Sequence, residues 1–220
     1  MQNLTVRAVR HQTDELFELQ LERADIGFAP GNCLALFNDT GESRPYSIAA
    51  GNQEDVLRFL IRRVPGGEVS SWLAQRKPGN QVRVSEPFGW FRPGQSEPGG
   101  GAVFIATGTG IAPFLSSLRS YPQQPPRACL YGVSLEKEAF ALEELRDLPY
   151  FHLAVSRQSH SGDFYGRVTG LLDSLPLDPQ IHYYLCGLDV MIDEVSAWLE
   201  AHQVDYANIH REVFFYAEDE

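Results

Sequence analysis

The sequence predicts two unlike domains in tandem: an antiparallel Greek-key β-barrel over residues 1–98, then an α/β doubly wound parallel sheet over residues 99–220. Three observations carry this reading. The first part holds many short segments in which apolar and polar residues alternate, separated by Gly, Pro, Asn and Asp, as closed antiparallel sheets require. The stretch RPGQSEPGGG, residues 92–101, has no apolar periodicity and reads as a boundary. Beyond it, short runs dominated by apolar residues alternate with helical candidates, the pattern of βα units with strands buried on both faces.

Taken in order, LTVRAVRHQ, LFELQLER, CLALFN, RPYSIAA, VLRFLIRRV and QVRVSEPFG are the expected barrel strands. GGEVSSWLAQRK, residues 66–77, breaks the alternation and reads as a loop running into a short helix, with Ser70 as a possible N-cap. In the second part AVFIAT, ACLYGV, FHLAVS and HYYLCG are the expected buried strands, and NIHREVFF the last one. Helices are expected at roughly 111–120, 137–147, 166–174 and 189–202.

Composition narrows the function classes. The net charge of −11 disfavours binding to nucleic acid. It is unevenly spread: residues 1–98 carry 11 basic and 12 acidic side chains, a balance of −1, whereas residues 99–220 carry 7 and 17, a balance of −10. No apolar run approaches the roughly 20 residues of a membrane span. The N-terminus MQNLTVRAVRHQTDELFELQ alternates without a secretory apolar core, so the expectation is a cytoplasmic chain starting near Met1. Cys33, Cys129 and Cys186 are far apart, which argues against a disulfide framework and offers no zinc or iron–sulfur cradle. The histidines show no metal-ligating spacing.

FIATGTGIAPFLSSL, residues 104–118, follows a buried strand and opens a helix. Gly108 and Gly110 let the backbone turn tightly and approach a ligand, and the N–H groups of a helix start favour phosphate. Pro113 stands where a dinucleotide fingerprint usually has Gly or Ala. Glycine spacing alone favours a plain strand-to-helix turn.

The whole series of motifs resembles the ferredoxin–NADP reductase family, in which a flavin-binding barrel is joined to a nicotinamide-nucleotide domain. RPYS at 44–47 resembles the flavin motif, GEVSSWL at 67–73 the pyrophosphate motif and EPFGWF at 86–91 the barrel-closing segment. GTGIAP at 108–113 resembles the nucleotide loop, VSRQ at 155–158 the ribose-phosphate segment, LCG at 185–187 the nicotinamide site and REVFF at 211–215 the terminal strand.

The resemblance implies roles. Arg44 neutralises the flavin pyrophosphate, Pro45 is a flavin-binding residue, Tyr46 packs its ring against the isoalloxazine, and Ser47 sits near flavin N5. Gly67, Val69, Ser70 and Ser71 face the same pyrophosphate. Thr107, Gly108, Thr109, Gly110 and Pro113 receive the nucleotide. Cys186 and Gly187 lie at the reacting nicotinamide, with the thiol positioning and not attacking. Glu212 belongs to the catalytic set with Ser47 and Cys186. Phe214 covers the flavin, with Phe215 and Tyr216 as rivals.

Ser156, Arg157 and Arg167 are the candidate 2′-phosphate site, since that group calls for arginine. The cofactors implied are FAD and NADP, with NAD possible. The implied reaction carries hydride from NADPH to FAD and electrons onward to a small redox protein, a ferredoxin or flavodoxin. Arg58, Arg62, Arg63, Arg76, Lys77 and Arg83 are available as a basic docking face, or as an ordinary solvated surface. The alternatives are an NAD(P)H reductase for free flavin, a quinone, an oxygenase or a haem partner, and a non-catalytic flavin-fold subunit.

Overall fold

The computed structural model describes residues 1–95 and 101–215. Most of the boundary stretch at 96–100, and the tail from Tyr216 onward, lie outside the described residues. The chain folds into two compact units, Met1–Arg92 with Ala112–Pro122, and Pro93–Ile111 with Gln123–Glu220.

The first unit is built on six antiparallel strands: β1 (Gln2–His11), β2 (Leu16–Glu22), β3 (Cys33–Phe37), β4 (Ser43–Ser47), β5 (Val56–Arg62) and β6 (Gln81–Val84). Their order is β4-β3-β6-β1-β2-β5. The two end strands approach each other where Ile48 bridges Phe59, and the Ala49 N–H donates to the Arg58 carbonyl at 2.8 Å, so the sheet curls into a barrel. A register irregularity between Val6 and Ala8 gives β1 the local bend that such curling needs. Alternation works as the sequence implied. Leu4, Val6, Phe17, Leu19, Leu34, Leu36, Phe59 and Val82 point inward to one core. Helix α1 (Glu68–Ala74) lies between β5 and β6 and adds Val69 and Leu73 to that core.

Helix α2 (Ala112–Ser120) belongs to this unit and is clasped to residues 49–52. The buried Ser116 Oγ donates to the Ala50 carbonyl at 2.7 Å, and the Arg119 guanidinium to the Ala49 carbonyl at 2.7 Å. The Asn52 N–H donates to Ser120 Oγ at 2.9 Å. Pro113 sits in the helix's first turn, where a missing N–H is tolerated.

The second unit is a parallel sheet of β7 (Ala102–Thr107), β8 (Ala128–Val133), β9 (Phe151–Val155), β10 (Phe164–Tyr165), β11 (His182–Leu188) and β12 (Ile209–Phe215). Its order is β10-β9-β8-β7-β11-β12, so the winding reverses between β7 and β11. Every pairing is parallel. All six residues of β8 are buried, as the apolar run predicted. A long helix, Asp189–Ala201, packs Met191, Ile192, Val195 and Leu199 against Val103, Ile105, Leu185 and Ile209.

Two expected helices are corrected. The segment 137–147 holds only a 3₁₀ turn, Glu136–Glu138, and the short α3 (Leu142–Arg146), separated by Ala141 at φ +54°. The segment 166–174 is a 3₁₀ helix, Val168–Ser174. Gly170 inside this segment weakens α-helix. The two-residue β10 was not expected at all; its aromatic pair is too short for alternation to show.

Candidate functional site

In the barrel unit, β4 ends the strand order and pairs through residues 43–47 with β3. Arg44 and Pro45 are exposed on this strand, Tyr46 is half-buried against the core, and Ser47 is 3% exposed. Burial pushes the Tyr46 hydroxyl up to about 12, against the pull of the Arg44 charge, so it is a neutral donor at any physiological pH. The Ser47 hydroxyl lies 3.1 Å from the Cys33 thiol. Cys33 was not among the expected site residues; only its register opposite Ser47 across β3–β4 reveals it.

The N-cap of α1 is Gly67, with extended backbone and no side-chain cap, which corrects the reading of Ser70 as N-cap. Ser70 Oγ instead accepts the Val64 N–H at 3.1 Å and ties down the loop that enters the helix. Val69 and Ser70 are buried and Ser71 half-buried. The first turn of α1 thus lacks a side-chain acceptor for its N–H groups, as a phosphate-facing turn would. Glu68 in that turn is exposed and works against an anion.

Two of the six residues of the expected basic face, Arg58 and Arg62, are ion-paired. Arg58 pairs with Glu54 at 2.6 Å and Glu18 at 3.1 Å, and Arg62 with Glu15 at 3.4 Å. Arg76 lies over the Trp72 ring at 4.1 Å and Arg83 over Phe37 at 4.7 Å. Trp72 in turn donates to Asp39 at 2.8 Å.

In the sheet unit, several expected residues converge at the carboxyl ends of β7 and β11, the switch point of the winding. β7 ends at Thr107 and runs into a 3₁₀ turn, Gly108–Ile111. A Cβ on Gly110 would lie 2.4 Å from the Cys186 carbonyl oxygen, so only glycine lets the loop approach β11 this closely. Gly187, at φ +136°, mirrors it: its Cβ would lie 2.2 Å from Thr107 Oγ1. Thr107 Oγ1 accepts the Leu188 N–H at 2.9 Å, stapling the two strand ends. Gly108 is at φ +54° with open space where a Cβ would be. Cys186 is fully buried and stands in register with Ala106 on one side and Glu212 on the other. Glu212 and Phe214 are half-buried. The β11–β12 register slips between Gly187 and Leu188, so Phe214 falls at a bulge that redirects side chains.

Ser156 and Arg157 follow β9; their N–H groups donate to Val133 and Ser134 carbonyls at 3.0 and 2.9 Å. The Arg157 and Arg167 side chains are exposed, and Ser156 is half-buried. Glu136 lies by the same segment: its N–H donates to Gln158 Oε1 at 3.3 Å, and its carboxylate accepts from Ser161 and pairs with Arg146 at 3.8 Å. Among the described residues no cluster of His, Cys, Asp or Glu could hold a metal, and no helix is long and apolar enough to cross a membrane.

A barrel with Arg-Pro-Tyr-Ser on its end strand, in a chain that also carries a parallel sheet with a glycine-lined loop at its switch point, is the architecture of the FAD- and NAD-binding oxidoreductase domains. Known proteins agree. Residues 5–92 match the oxidoreductase FAD-binding domain family and residues 104–197 the oxidoreductase NAD-binding domain family. The chain is 32% identical to ferredoxin–NADP reductase A of Sorangium cellulosum, over 93% of this chain and 84% of that protein. It is 28% identical to the toluate 1,2-dioxygenase electron transfer component of Pseudomonas putida, over 94% of this chain but only 65% of that protein's length. The fold superposes with a TM-score of 0.86 on a ferredoxin NADP+ reductase from Neisseria gonorrhoeae with bound FAD and NADP, at 22% identity, covering 97% and 98% of the two chains. The chain belongs to the ferredoxin–NADP reductase family.

Proposed function

We propose that this chain is an NAD(P)H-dependent FAD reductase that delivers electrons to a ferredoxin- or flavodoxin-like carrier in the cytoplasm, its residues 1–98 binding FAD and its residues 99–220 the nicotinamide nucleotide. The observation that carries this reading is the convergence of Thr107, Gly108, Gly110, Cys186 and Gly187 at the switch point, on a chain whose first part carries Arg44–Ser47 on the end strand of its barrel. Bound flavin would supply the conversion of a two-electron donor into single-electron output. Arg44 neutralises the pyrophosphate, and Tyr46 offers ring area and a neutral hydroxyl. Ser47 offers its hydroxyl near flavin N5, Glu212 supplies a carboxylate of the catalytic set, and the buried Cys186 orients nicotinamide without forming a bond to it. Gly67, Val69, Ser70 and Ser71 present small groups and backbone to the flavin phosphates, and Phe214 shields the ring. Arg157 and Arg167, exposed cations in a domain of charge −10, favour NADPH over NADH.

A second reading, the reductase part of an oxygenase system, is favoured by the match to the toluate dioxygenase component, of which this chain spans about two thirds. The chain's own three cysteines form no iron–sulfur cradle, so in that case the cluster resides elsewhere. Anaerobic titration of the yellow holoprotein with NADPH and NADH, followed by a panel of acceptors, decides between them. Fast bleaching by NADPH and turnover with ferredoxin or flavodoxin supports the first reading. Turnover only with an oxygenase supports the second. A colourless protein, or one inert to both nucleotides, refutes both.

A further inference from the structure

Tyr131 of β8 is among the largest fully buried side chains, and a buried tyrosine hydroxyl needs polar partners. This one donates to the Gly108 carbonyl at 2.9 Å and accepts the Phe140 N–H at 3.3 Å. Gly108 stands at φ +54°, with nothing within 4 Å of where its Cβ would be. Glycine there is free to leave that conformation, so something else must hold the following peptide in place. In a trans peptide the carbonyl and the next N–H point in opposite directions. Holding the Gly108 carbonyl towards Tyr131 therefore turns the Thr109 N–H away from it.

The geometry points to Tyr131 as a positioning residue of the nicotinamide-nucleotide site: its hydroxyl, braced by the Phe140 N–H, locks the Gly108–Thr109 peptide so that the loop presents its N–H to an incoming phosphate. This rests on reading Gly108–Gly110 as the nucleotide loop. The hydroxyl touches neither nucleotide nor flavin in this role. It acts by raising the fraction of loop already in the binding-competent orientation, and that fraction scales the apparent affinity directly. Phe140 opens the segment that leads to α3, so the brace runs from that segment through β8 to the end of β7.

The test is a double-mutant cycle on the holoenzyme with Tyr131→Phe, Gly108→Ala and the pair together. Tyr131→Phe keeps the ring in the core, and Gly108→Ala meets no neighbouring atom but is strained at φ +54°, so the melting temperature is read beside the binding for each. The readouts are the NADP+ dissociation constant from the flavin difference spectrum, KM and kcat for NADPH, flavin content and melting temperature. For Tyr131→Phe the dissociation constant and KM rise about tenfold, equivalent to ~1.4 kcal/mol, while kcat at saturation and flavin content hold. Because both residues act on one peptide, the double variant binds no worse than about the weaker single variant. Unchanged NADP+ affinity in Tyr131→Phe, losses that multiply in the pair, or a fall in kcat with affinity intact each overturn the brace. A wild-type protein that binds neither NADP+ nor NADPH overturns the nucleotide reading beneath it.

Discussion

Replacing Gly110 by alanine probes the switch point directly. Its methyl would lie 2.4 Å from the Cys186 carbonyl oxygen, 2.6 Å from that carbonyl carbon and 2.8 Å from the Gly187 Cα. All three are backbone atoms of β11, which is held on both sides by β7 and β12, so no side-chain rotation relieves the clash. Carbon atoms in contact settle near 3.5–4.0 Å, so loop and strand must part by roughly 1 Å. Overpacking of this kind costs about 1–3 kcal/mol. For a chain of this size each kcal/mol lowers Tm by about 2–4 °C, so the drop is about 2–12 °C. The loop would also present its N–H groups out of place, and KM for NADPH rises with it. Gly108→Ala is the control. Its φ of +54° brings strain of about 1 kcal/mol, but its methyl meets nothing. Melting curves of both variants, followed by flavin fluorescence and circular dichroism, give the order. A Gly110→Ala protein as stable as wild type, or more stable than Gly108→Ala, refutes the close approach.

Three further outcomes follow from other parts of the structure. Ser116→Ala removes the buried donor to the Ala50 carbonyl and should lower stability by about 1–3 kcal/mol, read as a fall in Tm; no fall would mean that the clasp of α2 contributes nothing. Burial, and then the neighbouring His182, hold His210 below its ordinary 6.5. The unfolded chain therefore takes up a proton that the folded one resists. The stability linked to His210 is complete above pH 6.5 and is lost as pH falls below it, so His210→Phe should flatten Tm against pH on the acid side. An unchanged slope would show that protonation of His210 is not coupled to folding. Arg157→Ala should raise KM for NADPH by about tenfold or more, the worth of a charge-assisted hydrogen bond, and leave KM for NADH in place. Equal effects on both nucleotides would remove Arg157 from the 2′-phosphate.

What was legible in the sequence was what a single strand declares about itself. AVFIAT and ACLYGV occupy β7 and β8 residue for residue, because strands buried on both faces leave no room for polar interruptions. The barrel strands were legible through alternation, but their ends were less so: β4 stops at Ser47 where RPYSIAA ran on to Ala50, and β6 stops at Val84 where QVRVSEPFG ran on to Gly89. The short helical segments were not legible. Residues 137–147 carry the leucines and charges of a helix, but tertiary packing turns the chain at Ala141, which sits in the left-handed region despite its side chain. Propensity is a weak prior against such a demand.

The site divides in the same way, and the division has a physical cause. Gly110 and Gly187 could be named from sequence because each makes a close backbone approach that no other residue type allows, and such a requirement leaves its mark at one position. Cys33 beneath Ser47, Tyr131 beneath Gly108 and Ser116 against Ala50 act across elements 14, 23 and 66 residues apart. Each is a residue type that any core accepts, so its identity carries no sign of its partner. A tyrosine inside a run as apolar as ACLYGV is the one signal that could have been followed, since its hydroxyl has to be satisfied somewhere. The partner it finds is the carbonyl of the glycine that the motif already marks. A loop built from glycines gains close approach and loses rigidity, and the side chain that restores the rigidity has to come from a neighbouring strand, where no local pattern announces it.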